Sequence, residues 1–245
     1  MSPALSPLKT LVKNVADPLF WRLSRAELKR MLADHPSTAA DDITTITRSY
    51  RGRGWYKVLA PYQVDEEFRQ LAEWAAAQRP KVVVEIGTAS GGTLLMWSRI
   101  VQRRVISVDL PGGIHGGGYP ERKARLFREF VRDRPGIQLD LICASSQDVA
   151  TRDRVARLLG SERIDILFID GDHRLAGVSR DYELWRELVA PGGHIVFHDI
   201  VPNTRVPTSQ VDVFWRQLRS QHPDRTREIV AARDQGWAGI GILSV

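Results

Sequence analysis

A doubly wound α/β fold is what the residue pattern predicts: a mostly parallel, seven-stranded, Rossmann-like sheet with a helical extension before it. Short apolar runs rich in β-branched residues, such as Val82–Ile86 and Ile164–Ile169, alternate with stretches of helical periodicity. The first of these runs closes on an acid and a glycine turn, Glu85-Ile86-Gly87-Thr88-Ala89-Ser90-Gly91-Gly92-Thr93, and a helix follows. Apolar residues make up 43% of the 245 residues and are spread along the chain, so a large core can form.

Residues 1–62 differ from the rest and read as an extension or lid, with residues 63–245 as the main domain. Phe20–Leu32 is amphipathic and is expected to be helical. The polar, aromatic-rich stretch Thr44–Tyr62 follows, and it cannot bury a core by itself. From Glu66 the alternation is regular. The expected order is helix Glu66–Ala77, strand Val82–Ile86, helix Thr93–Val101, strand Val105–Val108, helix Glu121–Arg134 and strand Ile137–Cys143. Helix Asp148–Leu159, strand Ile164–Ile169 and helix Leu175–Leu188 come next, the last ending before Pro191-Gly192-Gly193. Strand Ile195–Phe197, helix Val211–Ser220 and strands Glu228–Val230 and Ile240–Leu243 complete the set. The last two strands, close in sequence, suit an antiparallel edge.

The net charge is +6, but the arginines are dispersed, which fits a solvated basic surface better than a nucleic-acid footprint. No apolar run approaches the roughly 18–20 residues that cross a bilayer. Residues 1–10 lack the pattern of a secretory signal, and the single cysteine, Cys143, fits a reducing cytoplasm. An apolar face on the N-terminal segment leaves room for a homodimer.

Ligands of such sheets bind beyond the carboxyl ends of the strands. Gly87 lets the backbone come close to a ligand, and Thr93, at the start of a helix, faces free N–H groups that hold a carboxylate. Thr88 and Ser90 lie in the same turn. Asp109 ends the second strand about 20 residues on, where an acid takes ribose hydroxyls. Ser145, Ser146, Gln147 and Asp148 follow the third strand, on the side expected for an adenine. The dinucleotide spacing G-x-G-x-x-G is absent, which disfavours a nicotinamide oxidoreductase. Glu85 is a poor neighbour for a pyrophosphate and a good one for an ammonium group. The expected cofactor is S-adenosylmethionine (SAM).

Phe168-Ile169-Asp170-Gly171-Asp172-His173 ends the fourth strand, and Phe197-His198-Asp199 the fifth. On adjacent strands about 4.8 Å apart, Asp170 and Asp199 meet beside the cofactor. Two such carboxylates repel unless a cation joins them, and hard oxygen donors suit Mg²⁺. The other reading is one acid facing solvent and one capping a helix. His198 is a candidate third ligand that would admit Mn²⁺, or else a hydrogen-bonded strand-end histidine. His173 is placed to take a proton from an alcohol near neutral pH.

With Asp165-Ile-Leu-Phe-Ile-Asp-Gly-Asp-His173, Leu188-Val-Ala-Pro-Gly-Gly-His-Ile-Val-Phe-His-Asp-Ile200, Pro111-Gly-Gly, Gly116-Gly-Gly-Tyr-Pro120 and Gln235-Gly-Trp-Ala-Gly-Ile-Gly241, the chain resembles the metal-dependent branch of class I SAM O-methyltransferases. It is most similar to the cephalosporin-hydroxylase-like and macrolide-sugar O-methyltransferase group, and more distantly to catechol O-methyltransferase. The resemblance runs from about Arg51 to the C-terminus. It implies Asp170 and Asp199 as ligands of Mg²⁺, Asp170 also beside the cofactor, and His173 as base. The macrolide-sugar enzymes carry an acid where His198 stands. Ser146-Gln147-Asp148 is similar to the adenine-side segment of catechol methyltransferase.

The expected activity is methyl transfer to a hydroxyl of a small acceptor, a sugar or glycoside in the first instance and a phenol or other natural product in the second. A nucleic-acid base methyltransferase would carry an Asn/Asp-Pro-Pro-aromatic run where Asp170-Gly171-Asp172-His173 stands, and a non-catalytic SAM-binding protein would not need the acid–histidine set. Trp55, Tyr56, His115, Tyr119 and Arg205 are expected around the acceptor.

Overall fold

The computed structural model describes residues 12, 14–112, 119–232 and 234–245. Helices α1 (Asp17–Asp34), α2 (Ala40–Ser49) and α3 (Asp65–Gln78) come first. Then β1 (Val82–Ile86), α4 (Gly92–Ile100), β2 (Arg104–Asp109), α5 (Glu121–Phe127), β3 (Gln138–Cys143), α6 (Val149–Leu159) and β4 (Ile164–Ile169) alternate. The chain closes with α7 (Leu175–Trp185), β5 (Val189–His198), α8 (Val211–Gln221), β6 (Thr226–Ile229) and β7 (Ile240–Ser244).

The seven strands lie in the order β3-β2-β1-β4-β5-β7-β6. The first five run parallel, and β7 is antiparallel to both β5 and β6. The strand order reverses between β1 and β4, so both strand ends open onto the switch point where ligands bind such sheets.

The alternation of side chains along each strand divides the core in two. Val83, Val105, Ile166, Phe168, Val196, Ile240 and Ile242 face one layer, with Trp97, Phe127 and Phe130. Val84, Ile106, Leu167, Ile195 and Phe197 face the other, with Trp185, Phe214 and Trp215. Strands buried on both faces read as near-continuous apolar runs, which is what β1 and β4 are.

The extension packs onto the first layer. Leu28 and Met31 of α1, Ile43 and Ile46 of α2, and Tyr50, Tyr56 and Leu59 beyond them are buried with Phe68 of α3 and Leu94 of α4. The other side of α1 leaves Leu19 and Leu23 exposed. Among the described residues, no helix is long and apolar enough to cross a membrane.

Four expectations shift in detail. Ala40–Ser49 is a helix that was not expected, overlapping the start of the polar, aromatic-rich stretch Thr44–Tyr62. Its sequence is rich in Thr and Asp, poor helix formers, but Ile43, Ile46 and Thr47 share a buried face and Asp41 and Asp42 suit the first turn. Residues 128–131 and 186–188 tighten into 3₁₀ turns at the ends of α5 and α7. β5 begins at Val189, not Ile195, because Pro191, Gly192 and Gly193 form an irregularity within the strand rather than a break before it.

Candidate active site

The β1 turn is shaped by its own backbone. Gly87 has φ +85°, and a Cβ there would stand 2.0 Å from the carbonyl oxygen of Asp170. Glycine is needed for the approach of the β1 and β4 ends to one another, a reason that the sequence reading, which looked only to the ligand, did not include. Gly91 has φ +90° and begins α4 where a Cβ would strike the Phe127 ring. Ala89 takes φ +45° without glycine's freedom.

Glu85 is fully buried, and its Oε2 accepts from the Thr88 hydroxyl at 2.7 Å. Thr88 Oγ1 is 2.6 Å from Ser107 Oγ, which lies 3.0 Å from the Tyr119 hydroxyl. Burial pushes the Glu85 carboxyl up to about 8, against the pull of the Thr93 and Thr88 hydroxyls and with the charges of Asp109 and Asp170 adding to the rise. Thr93 is buried in the first turn of α4, and Ser90 is half-buried in the loop before it. Asp109, at the end of β2, accepts from the Ala89 N–H at 3.1 Å. Lys123 donates to the Ala89 carbonyl at 3.3 Å; burial pulls its ammonium down to about 8, with Asp109 opposing. So the turn, the β2 acid and α5 form one structure. Lys123 was not singled out in the sequence, since only the fold brings it back to the turn.

The adenine-side loop is tied to α7. Ser146 donates its hydroxyl to Asp181 at 2.7 Å, and its carbonyl accepts from the Trp185 indole at 2.8 Å. The Gln147 side chain donates to Asp172 Oδ2 at 3.2 Å. Arg174 also binds Asp172, whose carboxyl it holds well below the usual range. Asp172 is therefore a poor proton acceptor.

At the ends of β4 and β5 four groups meet. The His173 ring bridges the two acids, with Nε2 3.2 Å from Asp170 Oδ1 and Nδ1 2.9 Å from Asp199 Oδ2. His198 Nδ1 lies 3.1 Å from Asp170 Oδ1 and 3.5 Å from Asp199 Oδ1. Burial opposes charge on His173, but its bonds to Asp170 and Asp199 prevail and push it up to about 10. Burial opposes charge on His198 too, and the same two carboxylates outweigh it. Burial would raise the carboxyls of Asp170 and Asp199, yet the imidazoles hold both below the ordinary value.

Asp199 sits at φ +63°, a strained position for a residue with a side chain. The Ala238 N–H donates to its Oδ1 at 3.1 Å. That loop is anchored by buried Glu67 of α3, which accepts from the N–H groups of Ala231 and Gly239 and from the Gln235 side chain at 3.0, 2.9 and 2.7 Å. The Gln235–Gly241 motif thus serves to hold the β5 acid.

The expected Mg²⁺ set of Asp170, Asp199 and His198 does not fit this arrangement. Among the described residues, no three of His, Cys, Asp and Glu converge as metal ligands. The carboxylates are joined by an imidazole, and His198 Nδ1 is turned onto Asp170. A cation shared by the two acids would have to displace His173.

The expected acceptor residues divide. Tyr56 is in the core with its hydroxyl on Asp17 at 3.1 Å, and Tyr119 is buried edge-on against Phe127, so neither faces an acceptor. Trp55 lies beneath Arg122, and Arg205 stacks over Trp237. His115, with the Gly116–Gly118 run, lies outside the described residues. Gln63, not foreseen, donates to Asp170 Oδ2 at 2.9 Å.

Residues 84–200 match the family described as "Methyltransferase domain". An uncharacterised protein of Acanthamoeba polyphaga mimivirus is 36% identical over 118 residues, which cover 47% of this chain and 50% of that one, so the match spans half of the relative's length. In structure the chain is similar to an O-methyltransferase from Bacillus cereus in complex with S-adenosylhomocysteine (SAH), at 15% identity and a TM-score of 0.52 over 92% of this chain and 99% of that one. It is also similar to the methyltransferase of the mycinamycin biosynthetic pathway in complex with Mg, SAH and mycinamycin VI, at 17% identity and a TM-score of 0.52 over 86% of this chain and 55% of that one. The chain has a Rossmann-like methyltransferase fold.

Proposed function

We propose that this protein is an O-methyltransferase that moves the methyl group of SAM to a hydroxyl of a small acceptor, a sugar or glycoside in the first instance. The observation that carries the reading is one shared strand edge. The acid-and-glycine turn of β1, Asp109 of β2 and the acid–histidine cluster of β4 and β5 all open at the switch point of the sheet. Glu85 and Thr93 suit the amino-acid end of SAM, Asp109 its ribose, and the Ser146–Gln147 loop its adenine. SAM supplies a methyl group already activated by its sulfonium.

What remains for the protein is to align the acceptor and take its proton. His173 is the most exposed of the four clustered side chains, at 27% against 15% for Asp170, 6% for Asp199 and 3% for His198. It is therefore the group that an acceptor hydroxyl can reach. Asp199 orients the ring through Nδ1, and in the neutral ring the unprotonated Nε2, turned from Asp170, takes the proton of the hydroxyl.

The glycoside acceptor draws support from the mycinamycin enzyme's ligand and from the indole of Trp237, whose neighbour Ala238 donates to Asp199. Exposed Leu19 and Leu23 are the surface that would serve a homodimer. The test is incubation with SAM and a panel of glycosides and phenols, read by mass spectrometry. A product heavier by one methylene on a hydroxyl supports the reading. Production of SAH with no methylated acceptor, or methylation of nucleic acid instead, would overturn it. Parallel reactions with chelator, then with Mg²⁺ or Mn²⁺ restored, decide whether a cation displaces His173 during turnover.

A further inference from the structure

Gln63 is 3% exposed and sits where the N-terminal extension joins the main domain. Its Nε2 donates to Asp170 Oδ2 at 2.9 Å. A carboxylate has no N–H to give, so this bond fixes which end of the amide is which. The other end, Oε1, is buried and accepts no hydrogen bond. Buried polar atoms are nearly always paired, and an exception calls for a reason.

The position of Gln63 is enforced. Residues 59–63 form a strap across the first turn of α4, where a Cβ on Gly92 would meet the Leu59 carbonyl at 2.3 Å and the Pro61 nitrogen at 2.6 Å. Arg48 of α2 clamps the strap, donating to the carbonyls of Pro61 at 2.9 Å and Gln63 at 2.6 Å. The same guanidinium pairs with Asp65 at the head of α3. The Gln63 amide is thus pre-set beside Asp170 and the β1 turn. Nearby Glu85, which feels the Asp170 charge, also has an oxygen, Oε1, with no hydrogen bond. Two buried oxygens without a hydrogen bond thus lie near the same turn.

We propose that Gln63 is a cofactor-binding residue whose Oε1 accepts a hydrogen bond from the α-ammonium group of the methyl donor, with Asp170 holding the amide in place. The inference rests on the reading of the chain as a SAM-dependent enzyme. An ammonium carries three N–H donors and needs acceptors on more than one side. A neutral amide provides one without adding a further negative charge beside Glu85 and Asp170. The extension is then a working part of the cofactor site.

The test compares two ligands on two proteins by calorimetry: SAH, and SAH with its amino group replaced by hydrogen. Gln63→Leu should bind SAH about ten- to a hundredfold more weakly than the native protein, the worth of a hydrogen bond to a charged group. Both proteins should bind the deamino ligand alike. Equal weakening for both ligands would mean that the substitution only disturbs the strap, and no weakening would mean that Gln63 does not touch the cofactor; either overturns the inference while leaving SAH binding in place. Failure of the native protein to bind either ligand would overturn the SAM reading itself. Should Gln63→Leu not fold, Gln63→Met, of nearly the same length, gives the same ratio.

Discussion

The Asp170 carbonyl oxygen lies 2.0 Å from the point where a Cβ on Gly87 would stand. The turn that ends β1 and the acid that ends β4 are therefore fitted backbone to backbone. Asp170 N–H also donates to the Ile86 carbonyl at 2.8 Å, and Gly87 N–H to Val108 at 2.9 Å. Gly87→Ala should both strain φ, at about 1–3 kcal/mol, and force these strand ends apart. We expect a lower Tm and a loss of SAH binding, measured by thermal melts with and without SAH. A variant with native Tm and affinity would contradict the packing described.

Glu85 gives a pH signature. Its carboxyl is raised to about 8 in the folded protein, against an ordinary value of 4.5. The folded state therefore holds a proton that the unfolded state has lost, so this group stabilises fully below about pH 4.5 and loses that contribution as pH rises through about 8. Glu85→Gln should flatten that part of the stability–pH curve. A bound ammonium favours the carboxylate, so SAH binding near pH 7 should release a proton from the native protein and none from Glu85→Gln. Calorimetry in buffers of different ionisation enthalpy reads this directly, and proton uptake would contradict it.

His173 links Asp170 to Asp199 and is pushed up to about 10. Only the neutral ring accepts a proton, and its fraction grows as pH rises towards that value, so turnover should climb above neutrality rather than level off near pH 7. His173→Ala should lose about 10²–10⁴-fold in turnover, with SAH affinity kept. It should also bind Mn²⁺ more tightly than the native protein, since the imidazole and a cation compete for the same two carboxylates. Near-native turnover in His173→Ala would place the base elsewhere.

Glu67 acts at a distance on Asp199. Three donors end on its buried carboxylate, and the loop they fix supplies the Ala238 N–H to Asp199. Leaving a buried donor unpaired costs about 1–3 kcal/mol. Glu67→Ala should therefore lower stability by a few kcal/mol and reduce turnover more than SAH affinity, as denaturant titration and kinetics would show.

The parallel sheet was legible because its strands are buried on both faces and so are written as apolar runs, Val82–Ile86 and Ile164–Ile169 above all. Asp109, Asp170, His198 and Asp199 were legible because each lies at a strand's carboxyl end, and His173 because it stands in the loop that follows one. Gln63 was not, since it is 107 residues from Asp170 and no local pattern marks a glutamine for that contact. Tyr56 was misplaced for a related reason: an aromatic in a polar stretch suggests a surface, but α1 covers it. The paired acids meet as their places at adjacent strand ends imply, but the histidine turned between them was not legible, because spacing says nothing of side-chain rotation.

The central claim is that the β1 turn and Asp109 hold SAM. Calorimetric titration of the native protein and Asp109→Ala with SAH, each first shown to be folded by circular dichroism, tests it most directly. One SAH per native chain is expected, with affinity about ten- to a hundredfold lower in Asp109→Ala, as for loss of a charge-assisted hydrogen bond. Equal affinity in the two folded proteins, or none in the native one, would contradict it.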